Sequence, residues 1–235
     1  MIKIKLAFVF LLVLFVSCQR KEPKPTQVKP VYLAYDSEWN IDTLTHNDIY
    51  NADTISSKAF NLLSDENIED KETIDDYKNV KRKDSVLILK LSFLKRKKLI
   101  NNSKNGGNYF YLKNVPELNS WLIKCYANDE HEHLMYVNKN SGKETHFYRK
   151  STLSPNKKYL ICYGTSCTDF SNITLYRNEK DCLTNVWTKR FDNLGPESTK
   201  WKNDTTLFLK MKRICLENSG EISYIKLSIG KYLKK

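Results

Sequence analysis

Glycine is scarce: seven residues in a chain of 235. That leaves little scope for backbone cradles, and no glycine-rich phosphate loop is present. The chain has no G-x-S-x-G, no H-E-x-x-H, and no S-x-x-K joined to its further signature elements, so the common nucleophile and zinc-protease motifs are excluded. Without a C-x-x-C it offers neither a thioredoxin-like site nor a zinc ribbon. Adjacent acids such as Asp75 and Asp76 point to opposite sides of a strand and cannot act together on one bond. These absences lead to the expectation of a non-catalytic, binding or structural role, with no cofactor and no metal.

What is present begins with an address. Lys3 and Lys5 give a short positive start, and Leu6 to Val16 form an apolar core of eleven residues. That is the length of a signal-peptide core and too short to cross a bilayer, which takes about 20 residues. The small residue Ser17 stands directly before Cys18, and the following "QRKEPKPTQVKP" is charged and carries Pro23, Pro25 and Pro30. Prolines favour extended backbone and resist packing, so this stretch reads as a tether. No later apolar stretch approaches spanning length.

Leu14, Phe15, Val16, Ser17 and Cys18 resemble the lipobox of bacterial lipoproteins, with Phe15 in place of the usual leucine. The resemblance implies cleavage between Ser17 and Cys18, lipidation of Cys18, and membrane attachment through that anchor, since each buried methylene contributes about 0.8 kcal/mol. Gln19, where an aspartate would retain enterobacterial lipoproteins at the inner membrane, implies the outer membrane. "QRKE" is similar to the export signal of surface lipoproteins in Bacteroidetes. "DTL" at Asp42, "DTI" at Asp53, "DSV" at Asp84 and "DTT" at Asp204 resemble the O-glycosylation acceptor motif of that phylum. The organisation expected is a signal peptide over 1–17, a flexible tether over 18–35, an acidic and mostly irregular segment over 36–79, and a β-rich domain over 80–235.

Charge divides along the same lines. Val31 to Asn79 holds twelve acids and three bases, whereas Val80 to Lys235 holds fourteen acids and thirty bases. A basic body invites a nucleic-acid reading, but an exported lipoprotein rarely meets nucleic acid, and none is expected as partner. The clusters "KRK" at 81–83 and "KRKK" at 95–98 flank a strand and read as its solvated ends, with anionic lipid or glycan as the alternative. The acidic segment is expected to lie against the basic body. Among the cysteines, "LIKCY" and "LICYG" place Cys125 and Cys162 in apolar strands as small core residues. Cys167 and Cys182 lie in polar, turn-rich sequence of an oxidising compartment and are the expected disulfide pair.

Strand signals dominate after residue 85. "SVLILKLSFL" puts Leu87, Leu89, Leu91 and Phe93 on one face. In "TTLFLKMK", Leu207, Leu209 and Met211 face one way and Lys210 and Lys212 the other. "LMYVNKNSGKETHFY" is a hairpin in which Asn138 to Gly142 form the turn and Gly142 takes a positive φ. Helix is confined to "SSKAFNLL" and "DENIEDKETIDDYKNV", the second polar enough to be loop. The fold class expected is mainly β: antiparallel sheets, forming either a partial β-propeller or a two-sheet sandwich.

"LSPNKKYLICYG" and "WKNDTTLFLKMK" resemble the strand-turn-strand units of TolB-like and WD-type β-propellers, with Lys157 where that pattern has a glycine. The order from "VNKNSGKETHF" through "LSPNKKYL" to the tryptophan turn is also similar to a family of uncharacterised bacterial proteins. It implies no known reaction.

Asp129, Glu130, His131, Glu132 and His133 form the best metal candidate, because His131 and His133 would share a strand face. Their place at a strand start after a turn reads instead as solvated, and His46 and His146 have no evident reason to converge on them. Trp121, Trp187 and Trp201 could stack on sugars, but in such folds they are more often core. The function expected is a lipid-anchored envelope protein that binds a protein or glycan partner. The alternatives are an immunity or inhibitor lipoprotein against a secreted toxin, and an envelope hydrolase or glycan-binding protein.

Overall fold

Runs of alternating apolar residues become strands, and within each sheet a strand hydrogen-bonds to its neighbour in the chain. The computed structural model describes residues 41–44, 53–71, 75–92, 95–101, 107–127, 131–147, 149–164, 171–191, 194–213 and 222–230. Two short strands, β1 (Ile41–Leu44) and β2 (Asp53–Thr54), and a helix, α1 (Ser57–Asn61), come first. A three-stranded sheet follows: β3 (Val80–Lys83), β4 (Val86–Lys90) and β5 (Arg96–Ile100). The second sheet is β6 (Asn108–Val115), β7 (Ser120–Ala127), β8 (His131–Asn138) and β9 (Glu144–Phe147). The third is β10 (Lys150–Leu153), β11 (Tyr159–Gly164), β12 (Ser171–Asn178) and β13 (Leu183–Phe191), with β1 added in parallel beside β13. The fourth is β14 (Leu194–Asn203), β15 (Thr206–Arg213) and β16 (Ile222–Ser228), with β2 antiparallel to β16.

The molecule is therefore mainly β, with antiparallel sheets as the sequence implies. They number four, and the described residues form no closed barrel or propeller. Side-chain alternation stacks them in chain order. Leu87, Leu89 and Leu91 of the first sheet meet Trp121, Ile123, Cys125, Met135 and Val137 of the second. The opposite face of the second sheet sends Leu122, Leu134 and Tyr136 against Leu160, Cys162 and Tyr176 of the third. From the third sheet, Ile161, Tyr163, Ile173 and Leu175 meet Leu207, Leu209, Met211 and Ile225 of the fourth. "LICYG" is continuously apolar because both of its faces are covered.

Local signals behave as their chemistry dictates. Ser56 caps α1, its Oγ accepting from Ala59 N at 3.2 Å. Gly142 has φ 72°, and a Cβ there would lie 2.8 Å from Leu91 Cδ1, so the hairpin turn needs glycine on both counts. Lys157, standing where the propeller-like pattern has glycine, takes φ 60° and keeps the left-handed turn. Asn156 N then donates to Asp204 Oδ1 at 2.9 Å, so the two motif-bearing turns touch.

The basic clusters differ from expectation. They are not solvated ends of one strand: 81–83 lies within β3 and 96–98 within β5, the two partners of β4. The acidic stretch after residue 65 shows turns and no helix among its described residues. Its backbone is engaged elsewhere, through a bridge from Asn67 to Thr152 and a hydrogen bond from Ile68 N to Ser151 O at 2.9 Å.

Candidate functional site

Strand β9 begins with Glu144 and carries His146 two residues on, so both side chains share one face. The register Met135 to His146 and Leu134 to Phe147 sets His133 diagonally across from His146. His133 Nε2 lies 3.2 Å from His146 Nδ1, and His146 Nε2 lies 3.1 Å from Glu144 Oε2. Lys97 of β5 completes the row, its Nζ 2.7 Å from Glu144 Oε1 and donating to Gly142 O at 2.8 Å.

The carboxylate fixes the rest. Glu144 can only accept, so His146 presents an N–H on Nε2 to it, while its Nδ1 stands toward His133 Nε2. Burial raises the Glu144 pKa, but hydrogen bonds from His146 and Lys97 outweigh it and pull the group down to about 2. A histidine backed by a carboxylate is the arrangement of a general base, yet here the outward nitrogen faces another imidazole. The thiol nearest in register, Cys125 opposite His133, is pushed up to about 12 by burial, with Glu144 adding to the effect. The row thus links the first sheet to the second. Among the described residues no group of three or more His, Cys, Asp or Glu is placed to hold a metal ion.

A second polar constellation lies between residues 63 and 71. Lys113 of β6 is 5 % exposed and donates from Nζ to the carbonyls of Ile68, Glu69 and Lys71 at 2.7, 2.9 and 2.7 Å. Glu69 accepts from Ser151 N at 2.8 Å and Ser151 Oγ at 2.6 Å, and that hydroxyl also meets Tyr136 Oη at 2.6 Å. Burial raises the Glu69 pKa even so. Lys200 of β14 donates to Leu63 O at 2.7 Å and lies 3.6 Å from Asp65. The acidic segment therefore forms a strap across β6, β10 and β14, the first strands of three successive sheets. A separate hub, Asp76, accepts from Trp121 Nε1, Lys139 Nζ and Asn79 Nδ2 at 3.0, 3.1 and 2.9 Å.

Only some of the residues singled out in the sequence fall among the described ones. Ser17, Cys18, Cys167, Asp129, Glu130 and His46 lie outside the described residues. Cys182 is half-buried, with Sγ 3.8 Å from Glu179 Oε2 and 3.6 Å from Thr184 Oγ1. His131 lends its backbone to β8, paired with Ala127. Trp121 and Trp187 are buried, and Trp201 packs on the core between the third and fourth sheets and donates to Thr152 O at 3.3 Å, so all three serve the interior. Sequence reasoning missed the approach of His146 to His133 and the tripod around Lys113. The available signals were the turn length of the 138–142 hairpin, which sets register, and lysines placed inside otherwise alternating strands. Comparison with protein-family models, curated proteins and solved structures finds no match.

Proposed function

We propose that the protein is an envelope lipoprotein, held to the outer membrane by an acylated Cys18, that acts by binding a protein or glycan partner and not by catalysis. The observation carrying this reading is the order of residues at the amino end: Lys3 and Lys5, the apolar run, Ser17, Cys18, then the proline-rich tether. The occupation of the reactive-looking groups supports the non-catalytic part. Glu144 is held by His146 and Lys97, Glu69 by Ser151, and Asp76 by Trp121 and Lys139, while burial keeps the Cys125 thiol protonated. Each such group already spends its hydrogen bonds on joining one part of the chain to another.

The test is fractionation of producing cells with a high-salt wash, which strips contacts made by charge alone. Wild-type protein is expected in the membrane fraction with acyl mass on its amino terminus, and Cys18→Ala in the soluble fraction. Retention of Cys18→Ala in the washed membranes, or an uncleaved and unmodified wild-type terminus, overturns the reading.

A further inference from the structure

We infer that the outward face of the first sheet is a docking surface for anionic phospholipid, which lays this end of the stack against a bilayer. The inference deepens the proposed function and rests on it only for the presence of a membrane. It comes from the contrast between the two faces of one small sheet. The inward rows carry Val80, Leu87, Leu89 and Leu99, all buried in the core shared with the second sheet. The two cations on those rows both have partners: Arg82 donates to Tyr109 O, and Lys97 holds Glu144.

The outward rows are built differently. Lys81, Lys83, Lys90, Arg96 and Lys98 are all exposed, and none is ion-paired with a described residue. Lys90 and Arg96 even stand directly opposite each other, a like-charge pair that an isolated sheet would disfavour. The strands contribute no carboxylate to this face, and Asp84 is confined to the β3–β4 turn. Between the cations sit three aliphatic side chains. Val86 pairs with Ile100, which is 52 % exposed, and Ile88 lies between Lys81 and Lys98. No core cluster of described residues includes any of the three.

Unpaired cations around a short apolar spine match a bilayer surface, where phosphates meet the first methylenes. The ammonium groups of the lysines reach headgroup level while their stems and the aliphatic residues lie against the acyl boundary. A soluble polyanion would use the charge and leave Ile100 in water. An acyl chain together with a basic patch also gives the paired signals that hold a protein stably at a membrane.

Binding of the full chain to phosphatidylglycerol-containing and to pure phosphatidylcholine vesicles tests this, the readout being the ratio between the two at low salt. Acylation enters both arms equally, so a failure of the lipoprotein reading leaves this ratio interpretable. Wild type is expected to prefer the anionic vesicles. Lys81→Gln, Lys83→Gln and Lys98→Gln together should reduce the preference by roughly 100-fold, at about fivefold per charge. Lys143→Gln, Lys158→Gln and Lys180→Gln together remove equal charge from exposed sites elsewhere and should change it less than about threefold. Ile100→Ser keeps every charge and should weaken anionic-vesicle binding about fivefold. Equal binding of wild type to both vesicles, an unchanged preference in the first triple variant, or an equal loss in the second overturns the inference. Retention on dextran sulfate without vesicle preference overturns it too and assigns the face to a polyanionic glycan.

Discussion

Strands β11 and β4 are both rich in aliphatic residues and occupy opposite situations. β11 has a sheet on either side: Leu160 and Cys162 pack toward the second sheet, Ile161 and Tyr163 toward the fourth. β4 belongs to the first sheet, where Leu87 and Leu89 are buried against the second while Val86 and Ile88 on the other face stay half-exposed. The same residue types thus carry different energies according to place in the stack. A buried leucine with close neighbours on all sides is worth several kcal/mol, a half-exposed isoleucine much less.

The contrast can be broken most forcefully at its centre. Leu160→Ala is expected to lower unfolding free energy by about 3 kcal/mol, and Ile88→Ala by less than about 1 kcal/mol, in denaturant titrations. Equal losses would mean that the outward face of the first sheet is covered as well. A smaller effect sits at the joint between the first two sheets. The Glu144 pKa falls from an ordinary 4.5 to about 2 in the folded protein. A depressed carboxylate stabilises above its unfolded pKa, so this contribution is complete above about pH 5 and fades as pH drops toward 2. Its full size is about 2–3 kcal/mol once partial exposure is allowed for. Glu144→Gln should remove the part of the acid-induced loss that falls between pH 4.5 and 2, measured by thermal melts across that range. Smallest is the turn before β11. Lys157→Gly relieves a left-handed residue and should stabilise by about 1 kcal/mol; a loss instead would mean that the Lys157 side chain contributes packing of its own.

Legibility followed the range of the interaction. Leu87, Leu89 and Leu91 were readable as one face because period two is a property of a single strand, and the Asn138–Gly142 turn because its positive φ selects glycine. The tryptophans and Cys125 and Cys162 were readable as interior residues from their apolar surroundings. The clusters at 81–83 and 95–98 read as strand ends because charge masks the alternation: only Val80 of β3 and Leu99 of β5 are buried. The row Lys97, Glu144, His146, His133 was out of reach, since it depends on the register of β8 against β9 and on which sheet stacks on which. The strap around Lys113 was half visible: opposite charge of the two segments foretold contact, but not a lysine that serves carbonyls.

That strap also dictates a timetable. Residues 63–71 leave the ribosome before every strand that grips them, and Lys200 follows Leu63 by more than half the chain. Strand β2 likewise waits for β16, the last of the described strands to emerge. Closing such long loops is slow compared with pairing adjacent hairpins. A nascent chain halted after Phe191 would hold Lys113 and Ser151 ready, while Leu63 O and Asp65 had no lysine to meet.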